Sequence, residues 1–260
     1  MVRNKNKINQ IQRLESIRNE LLKADEVFVE KLAAKFGVSS MTVRRDLEML
    51  ESNGEVIRTH GGAALAKRLT FEFAFRDKQS KNQQKKNLIA KCASEYVEDG
   101  QIIMLDTGTT TLQIARQLSD KKDVTIITTS LAIISQLQFA SNLELVLLGG
   151  FLRRGSPDMH GPLTEQNIEQ FSADLAFMGA DAVDNKGNTY TDDLRVVNID
   201  RKIALSAQKV IVVADSSKFG KKAMCKVLKA VDYDLIITDS AVKKGTLAEL
   251  KSKKVNLRLV

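Results

Sequence analysis

Apolar positions along this 260-residue chain fall into two textures. In the first sixty residues they recur at the helical period. Ile11, Leu14, Ile17, Leu21 and Leu22 predict an amphipathic helix that breaks at Lys23-Ala24-Asp25-Glu26. Phe28, Leu32, Ala33 and Phe36 predict the inner face of a second helix. Gly37 supplies a sharp turn, and Ser39 is placed to cap a third helix in which Val43, Leu47 and Leu50 form one buried stripe. After a stop at Asn53-Gly54, Val56 and Ile57 make a short strand. Arg58 and His60 then lead into Gly61-Gly62 as a hairpin.

From Gly100 onward the texture changes. Short Val/Ile/Leu runs at 101–105, 124–128, 143–148, 175–178, 210–213, 235–238 and 255–260 read as strands, and stretches at 111–118, 131–139, 199–207 and 246–250 read as helices. Near-continuous apolar strands alternating with helices predict a mainly parallel sheet buried on both faces. The expected fold class is α/β, with a winged helix-turn-helix domain over residues 1–63, a basic linker over 64–90 and a larger α/β domain over 91–260.

The third helix has a polar outer side. Arg45 lies opposite the buried stripe with Met41 one turn below it, and Thr42 and Arg44 flank them. Arg can fork onto guanine acceptors, Thr can reach a phosphate or a thymine methyl, and a helix N-terminus attracts phosphate. Helix, Gly turn, capped helix and hairpin is the layout of a DNA reader. The expected contact set is Ser39, Ser40, Met41, Thr42, Arg44 and Arg45 in the groove, with Arg58 and His60 on the wing. The competing reading is a structural three-helix module with a solvated Arg pair.

In a parallel sheet, ligands bind beyond the carboxyl ends of the strands. The residues there are Asp106-Thr107-Gly108-Thr109-Thr110-Thr111, Thr128-Thr129-Ser130, Gly149-Gly150, Gly179-Ala180-Asp181 and Asp215-Ser216-Ser217-Lys218-Phe219-Gly220. The first run lacks the Gly-Lys-Ser/Thr ending of a Walker loop. Hydroxyls, a Gly turn, carboxylates and one ammonium suit a small, polyhydroxylated, phosphorylated molecule. The expected effector-binding set is Asp106, Thr107, Gly108, Thr109, Thr110, Thr129, Gly149, Gly179, Asp181 and Lys218. The loop from Arg153 to Gly161 reads as solvated, with a clamp on the ligand phosphate as the alternative.

Charge sharpens the division. The net formal charge is +8. Residues 1–62 hold 11 Lys+Arg against 9 Asp+Glu, residues 63–91 hold 8 against 2, and the remainder holds 21 of each. The excess therefore sits in the reader and the segment after it, as a polyanion-binding end attached to a neutral domain requires. Lys78, Lys81, Lys85 and Lys86 either serve that polyanion or merely solvate a linker. Two cysteines, Cys92 and Cys225, give neither a disulfide framework nor metal-ligand spacing, and two histidines exclude a His-rich metal site. No metal and no cofactor is expected. No apolar run approaches the ~20 residues of a membrane span and no signal peptide is visible, so the expected compartment is the cytoplasm.

The N-terminal sixty residues resemble the winged helix-turn-helix of the DeoR family of bacterial transcriptional regulators. The resemblance rests on Val38-Ser39, Thr42-Val43-Arg44-Arg45-Asp46-Leu47, Leu50-Glu51, Gly54 and Arg58-Thr59-His60-Gly61-Gly62-Ala63. About residues 70 to 255 are similar to the family's effector domain, through Phe73, Arg76, Lys86-Asn87-Leu88-Ile89-Ala90, Asp106-Thr107-Gly108-Thr109-Thr110, Thr128-Thr129-Ser130-Leu131, Gly149-Gly150, Gly161, Gly179-Ala180-Asp181 and 214–220. The resemblance implies an isomerase/CoA-transferase-like effector domain, close in fold to ribose-5-phosphate isomerase. It also implies a repressor of sugar or polyol catabolic genes, released from double-stranded operator DNA by a sugar phosphate and acting as a homo-dimer or homo-tetramer. Repressor and activator share the same reader. Two residues depart from the family pattern: Ala182 where a Gly is common, and Asp200 where a Lys is common. A competing class is an isomerase-like enzyme with a basic N-terminal extension, with Asp106, Asp181 and Lys218 moving protons.

Overall fold

The computed structural model describes residues 9–24, 26–53, 55–65, 75, 77–153 and 156–260. Gly54 of the expected stop, Asp25 of the break, residues 66–74 and 76 of the expected linker (with Phe73 and Arg76 of the resemblance), and Arg154-Gly155 lie outside them, as do the Leu22 and Lys23 side chains. The chain forms two compact units, 1–76 and 77–260.

The first unit holds α1 (Gln10–Ala24), β1 (Glu26–Phe28), α2 (Val29–Phe36), α3 (Ser40–Ser52), β2 (Val56–Thr59) and β3 (Gly62–Leu65), with sheet order β1-β3-β2. Leu14, Ile17, Leu21, Leu32, Ala33, Phe36, Val43, Leu47 and Leu50 close its core. Two expected core residues are corrected. Ile11 is exposed, on the side of α1 turned away from the core that Leu14 and Ile17 enter. Phe28 is also exposed, because a three-residue strand precedes α2 and shifts the inward phase by one, so Val29 takes the buried place. That strand, unforeseen in the sequence, pairs antiparallel with β3, Val27 opposite Ala63.

Gly37 ends α2 in the left-handed conformation at φ 64°, where a side chain is strained. Ser39 Oγ then accepts the Thr42 N–H at 3.2 Å, capping α3. Gly62 has a different reason to be glycine: a Cβ there would lie 2.0 Å from the Val27 carbonyl oxygen.

The second unit is built on seven strands: β4 (Ile102–Leu105), β5 (Val124–Thr128), β6 (Leu143–Leu147), β9 (Ala173–Met178), β12 (Ala207–Val213), β14 (Leu235–Thr238) and β15 (Leu257–Leu259). Their order is β15-β14-β12-β9-β4-β5-β6, and every neighbouring pair is parallel. Short antiparallel pieces accompany it: β7 (Phe151–Leu152) with β8 (Met159–His160), and β10 (Ala182–Val183), β11 (Thr189–Thr191) and β13 (Cys225–Lys226). The helices are α4 (Gln83–Ser94), α5 (Thr109–Gln117), α6 (Leu131–Leu137), α7 (Pro162–Ile168), α8 (Val197–Leu205) and α9 (Lys244–Ser252). Helices α4, α7 and the short antiparallel pieces were not foreseen.

Both sheet faces are covered. Met104, Ala176, Met178, Val210, Val212 and Ile236 join Ile199 and Ile203 of α8 in one core, while the alternate positions Ile103, Leu105, Phe177, Ile211 and Ile237 are equally buried. From β4 the order runs outward through β5 and β6, and from β9 it runs the other way through β12, β14 and β15. The β4/β9 seam is thus the switch point of the sheet, where an α/β fold opens a crevice at the carboxyl ends. Cys92 is buried and Cys225 half-buried, both as free thiols.

Candidate functional sites

On α3 the sequence separates structural from free charges. Asp46, 1% exposed, receives the Arg13 guanidinium at 2.8 Å and Gln10 Nε2 at 3.2 Å, which bolts α3 to α1. Arg18 forks onto Glu55 at 2.6 and 2.7 Å. Arg44 and Arg45 are exposed and have no partner among the described residues, so both guanidiniums are available to an incoming anion. The hydroxyls beside them are already engaged: Thr42 Oγ1 with Ser39 Oγ at 2.9 Å, and Ser40 Oγ donating to Glu30 at 2.9 Å. Met41 is exposed. On the hairpin, Arg58 Nε donates to the Gly62 carbonyl at 3.2 Å, while His60 is exposed at the turn, before Gly61 at φ 84°.

At the carboxyl ends of the second unit, Asp106 sits on the β4/β9 seam. Its Oδ1 accepts the Gly108 N–H at 2.9 Å and the Thr111 hydroxyl at 2.7 Å, and its Oδ2 accepts the Gly179 N–H. One carboxylate therefore holds the turn after β4 against the turn after β9. Burial pushes the Asp106 carboxyl up, against those three donors, and the Asp181 charge adds to the rise. A Cβ at Gly108 would meet Asp106 Oδ1 at 3.2 Å and Thr111 Oγ1 at 3.3 Å, so the two turns approach closely. Thr107, Thr109 and Thr110 keep hydroxyls without a partner among the described residues, at the start of α5.

Asp181 follows β9. Its Oδ1 takes the Lys78 ammonium at 2.9 Å, and its Oδ2 accepts Thr191 Oγ1 and the Asp192 N–H, each at 3.2 Å. Burial opposes its ionisation, but Lys78, the Asp192 amide and Lys218 outweigh it and hold the carboxyl below its ordinary value. Lys218 is half-buried in the turn after β12, and its ammonium has no hydrogen-bond partner among the described residues. Thr129 is fully enclosed after β5, its hydroxyl unpaired among the described residues. Gly149 stands apart from this group. It follows the edge strand β6, two strands from the seam, and its carbonyl accepts Thr164 Oγ1 at 3.0 Å.

The Arg153 loop is not a solvated one at its base. Arg153 forks onto Asp158, which is fully buried, and reaches Asp193 at 2.9 Å, where Arg195 also pairs at 2.6 Å. Its guanidinium is consumed by these carboxylates.

Sequence reasoning missed a strap. Lys78, Asn82, Lys85 and Lys86 come from the expected linker but fold onto the second unit. Asn82 Nδ2 donates to Asp215 Oδ1 at 3.0 Å, and Lys85 reaches Ser216 Oγ at 2.7 Å and Asp239 at 3.3 Å. Lys86 is buried and donates to the Lys78 carbonyl; burial first, then Lys218 and Lys78, lower its pKa to about 8 against the pull of Asp215. The signals were the crowding of positive charge over residues 63–91 and the resemblance of Lys86-Asn87-Leu88-Ile89-Ala90 to the effector domain.

Comparison with known proteins decides the family. Residues 13–68 match the DeoR-like helix-turn-helix domain and residues 81–240 match the DeoR C terminal sensor domain. The chain belongs to the DeoR family. It is therefore a DNA-binding regulator of transcription rather than an enzyme. It is 34% identical over 251 residues, 96% of this chain and 93% of the relative, to a candidate aga operon transcriptional repressor of Escherichia coli O157:H7. It is 32% identical to the HTH-type transcriptional regulator GlpR of Haloferax volcanii, covering 88% of this chain and 89% of that one. The glycerol-3-phosphate regulon repressor of Escherichia coli K12 is 29% identical, over 97% and 100% of the two chains. Likeness to solved structures is slighter. Ribose 5-phosphate isomerase A from Methanocaldococcus jannaschii shares 22% identity at a TM-score of 0.40, over 54% of this chain and 55% of that one.

The two departures from the DeoR pattern now have places. Ala182 is buried in the ordinary extended strand β10, where a methyl group causes no strain. Asp200, on α8, is half-buried near Asp106, Asp158 and Asp181; burial and then those like charges, against Arg153, push its carboxyl well above the usual range. Among the described residues no helix is long and apolar enough to cross a membrane, and no cluster of His, Cys, Asp or Glu could hold a metal ion.

Proposed function

We propose that this DeoR-family regulator represses carbohydrate or polyol catabolic genes and that a phosphorylated sugar, bound at the strand ends, loosens its hold on double-stranded operator DNA. The observation that carries the DNA half is the pair Arg44 and Arg45, exposed and unpartnered on a capped helix whose neighbours Arg13 and Arg18 are committed to carboxylates. Arg45 reads base edges; Arg44, Ser39, Ser40, Met41, Thr42, Arg58 and His60 position the reader.

In the sensor, Thr107, Thr109, Thr110, Thr129 and Lys218 offer groups the fold leaves unpaired, and Asp181 has an exchangeable partner. Asp106, Gly108 and Gly179 shape the crevice that these groups line, and Gly149 marks its outer end. Names of relatives point the same way: one is a glycerol-3-phosphate regulon repressor, another concerns the aga operon. The regulator works in the cytoplasm as a homo-dimer or homo-tetramer on paired half-sites, with the division of labour following the two compact units.

The test is fluorescence anisotropy on DNA upstream of the protein's own gene at fixed salt, with a panel of sugar phosphates. Tight, salt-dependent binding relieved by one compound is expected. Binding no stronger than to a scrambled duplex, on this DNA and on the neighbouring catabolic promoters, overturns the reading.

A further inference from the structure

Strand β6 ends the seven-stranded sheet on one side, and no strand among the described residues pairs with its outer edge. The Leu148 amide donates to the Thr128 carbonyl at 2.9 Å, and the Asn142 carbonyl accepts the Asp123 amide at 3.1 Å, so the even-numbered residues of this stretch face β5. Strand alternation turns the odd-numbered ones outward. The amides of Leu145 and Leu147 and the carbonyls of Leu143, Leu145 and Leu147 therefore point off the sheet, while the Leu143 amide turns back to the Ala140 carbonyl at 3.3 Å.

The two edges of the sheet differ. Strand β15 has three residues, carries Arg258 and follows Lys253-Lys254, the kind of short, charged edge that keeps other strands away. Strand β6 has five, Leu-Glu-Leu-Val-Leu, with no proline, no cation and a single charge. Its three leucines read the same from either end.

Apolar side chains also stand bare around this edge. Leu147 closes the strand at 37% exposure. Beyond it Phe151 and Leu152 of the β7–β8 hairpin are 65% and 59% exposed, and on the turn before the strand Phe139 is 90% exposed. The hairpin is firmly held. Arg153 grips Asp158 at its base, the Met159 amide donates to the Thr129 carbonyl at 2.9 Å, and the Phe151 ring lies so close to Gly161 that a Cβ there would meet it at 2.9 Å. These four side chains leave roughly 450 Å² of apolar surface bare, the size of the largest patch on an ordinary monomer.

We propose that β6 docks a second copy of this chain, the two β6 strands pairing antiparallel about a two-fold axis at Leu145. The proposal rests on the reading that the regulator works as a homo-oligomer, and it names the strand that joins the sensors. In this register Leu145 faces its own counterpart and Leu143 faces Leu147. The outward groups then close hydrogen bonds in symmetric pairs, Leu145 amide to Leu145 carbonyl and Leu147 amide to Leu143 carbonyl. Glu144 falls opposite Val146, so no like charges oppose each other. Phe139 of one copy comes toward the Phe151 arm of the other, because both continue the same register beyond the strand ends. A self-complementary patch of this kind closes a two-fold dimer and leaves no free edge to propagate. A standard interface takes ~800 Å² from each partner, and the bare apolar side chains supply about half of that before the strand backbone is counted.

The test is sedimentation equilibrium on the full chain. An oligomer is expected for the natural chain. Leu145→Lys and Leu145→Glu each set a charge against its own copy on the two-fold axis and are expected to weaken self-association at least about tenfold. Mixing the two variants in equal amounts restores association, because lysine then faces glutamate; a variant that has merely misfolded is not rescued in this way. Leu259→Lys, which puts the same charge on the exposed edge of β15, leaves association unchanged.

An oligomer that neither Leu145 variant weakens, or weakened variants that fail to recombine, overturns the β6 interface and leaves the oligomer reading standing. A natural chain that stays monomeric at every concentration reached overturns both.

Discussion

Arg13 on the first helix and Asp46 on the third meet at 2.8 Å with the carboxylate 1% exposed, whereas the side chain of Arg45, the immediate neighbour of Asp46, has no hydrogen bond or ion pair among the described residues. Adjacent positions of one helix thus do opposite work. Asp46→Ala takes one partner from a buried pair and is expected to cost about 3 kcal/mol of stability in the first unit. Arg45→Ala leaves the melting profile in place but weakens operator binding by about 1–3 kcal/mol, through loss of a base-reading fork. Circular dichroism melts and anisotropy titrations on the same two variants separate these outcomes. A stable Asp46→Ala, or an Arg45→Ala with full operator affinity, reverses the assignment.

Gly62 is the tightest backbone approach in the reader. Since a Cβ there would sit 2.0 Å from the Val27 carbonyl oxygen, Gly62→Ala must push β1 away from β3. A loss of at least about 2 kcal/mol is expected, with operator binding falling as the wing moves. All three tyrosines (Tyr96, Tyr190 and Tyr233) lie in the second unit, so tyrosine fluorescence follows the sensor alone and should show its unfolding transition unchanged.

Asp106→Asn tests the seam. An amide cannot accept from all the donors that the carboxylate now satisfies, so at least one of the Gly108, Gly179 or Thr111 groups loses its partner. Destabilisation of the sensor by about 1–3 kcal/mol is expected in urea unfolding followed by tyrosine fluorescence. An unchanged midpoint means the carboxylate is dispensable to the fold.

Lys86 gives the sensor a pH signature. Its pKa is lowered to about 8, against ~10.4 for an ordinary lysine. Between these values the unfolded chain binds more protons than the folded one, so Lys86 makes stability rise with pH over that window. Urea midpoints at pH 7.5 to 9.5 should climb in the natural chain and climb less in Lys86→Met. Parallel slopes in the two chains leave Lys86 without a protonation role.

The stripe Val43, Leu47 and Leu50 and the seven central strands were legible because burial imposes a period or a continuous apolar run. Phe28 misled for the same reason. Three residues of β1 carry no period, and their partner strand begins only at Gly62, so nothing local marks the one-residue phase shift. That the Asp/Thr/Gly runs stand at the strand ends was also legible, since each directly follows an apolar run. Which of those groups are free was not. Asp106 and Asp181 look alike in sequence, yet one is held by backbone amides and a hydroxyl and the other by a lysine, a hydroxyl and one backbone amide. Lys78 and Lys86 were hidden because a lysine has no hydrophobic pattern of its own, and the carboxylate that takes Lys78 lies 103 residues away.

The sheet order has a consequence for the order of folding. The central pair aligns Ile103 with Leu175 and Leu105 with Phe177, so β4 meets its inner neighbour only after the whole β5–β6 half has been made. Closing so long a loop comes late, because its entropy must be met before the contacts it brings together can reward it. Asp106 and Gly179 sit on that long-range join. A nascent or partly folded chain can therefore possess a finished DNA reader while its sensor crevice does not yet exist, and responsiveness to a ligand certifies that the sensor has completed its fold.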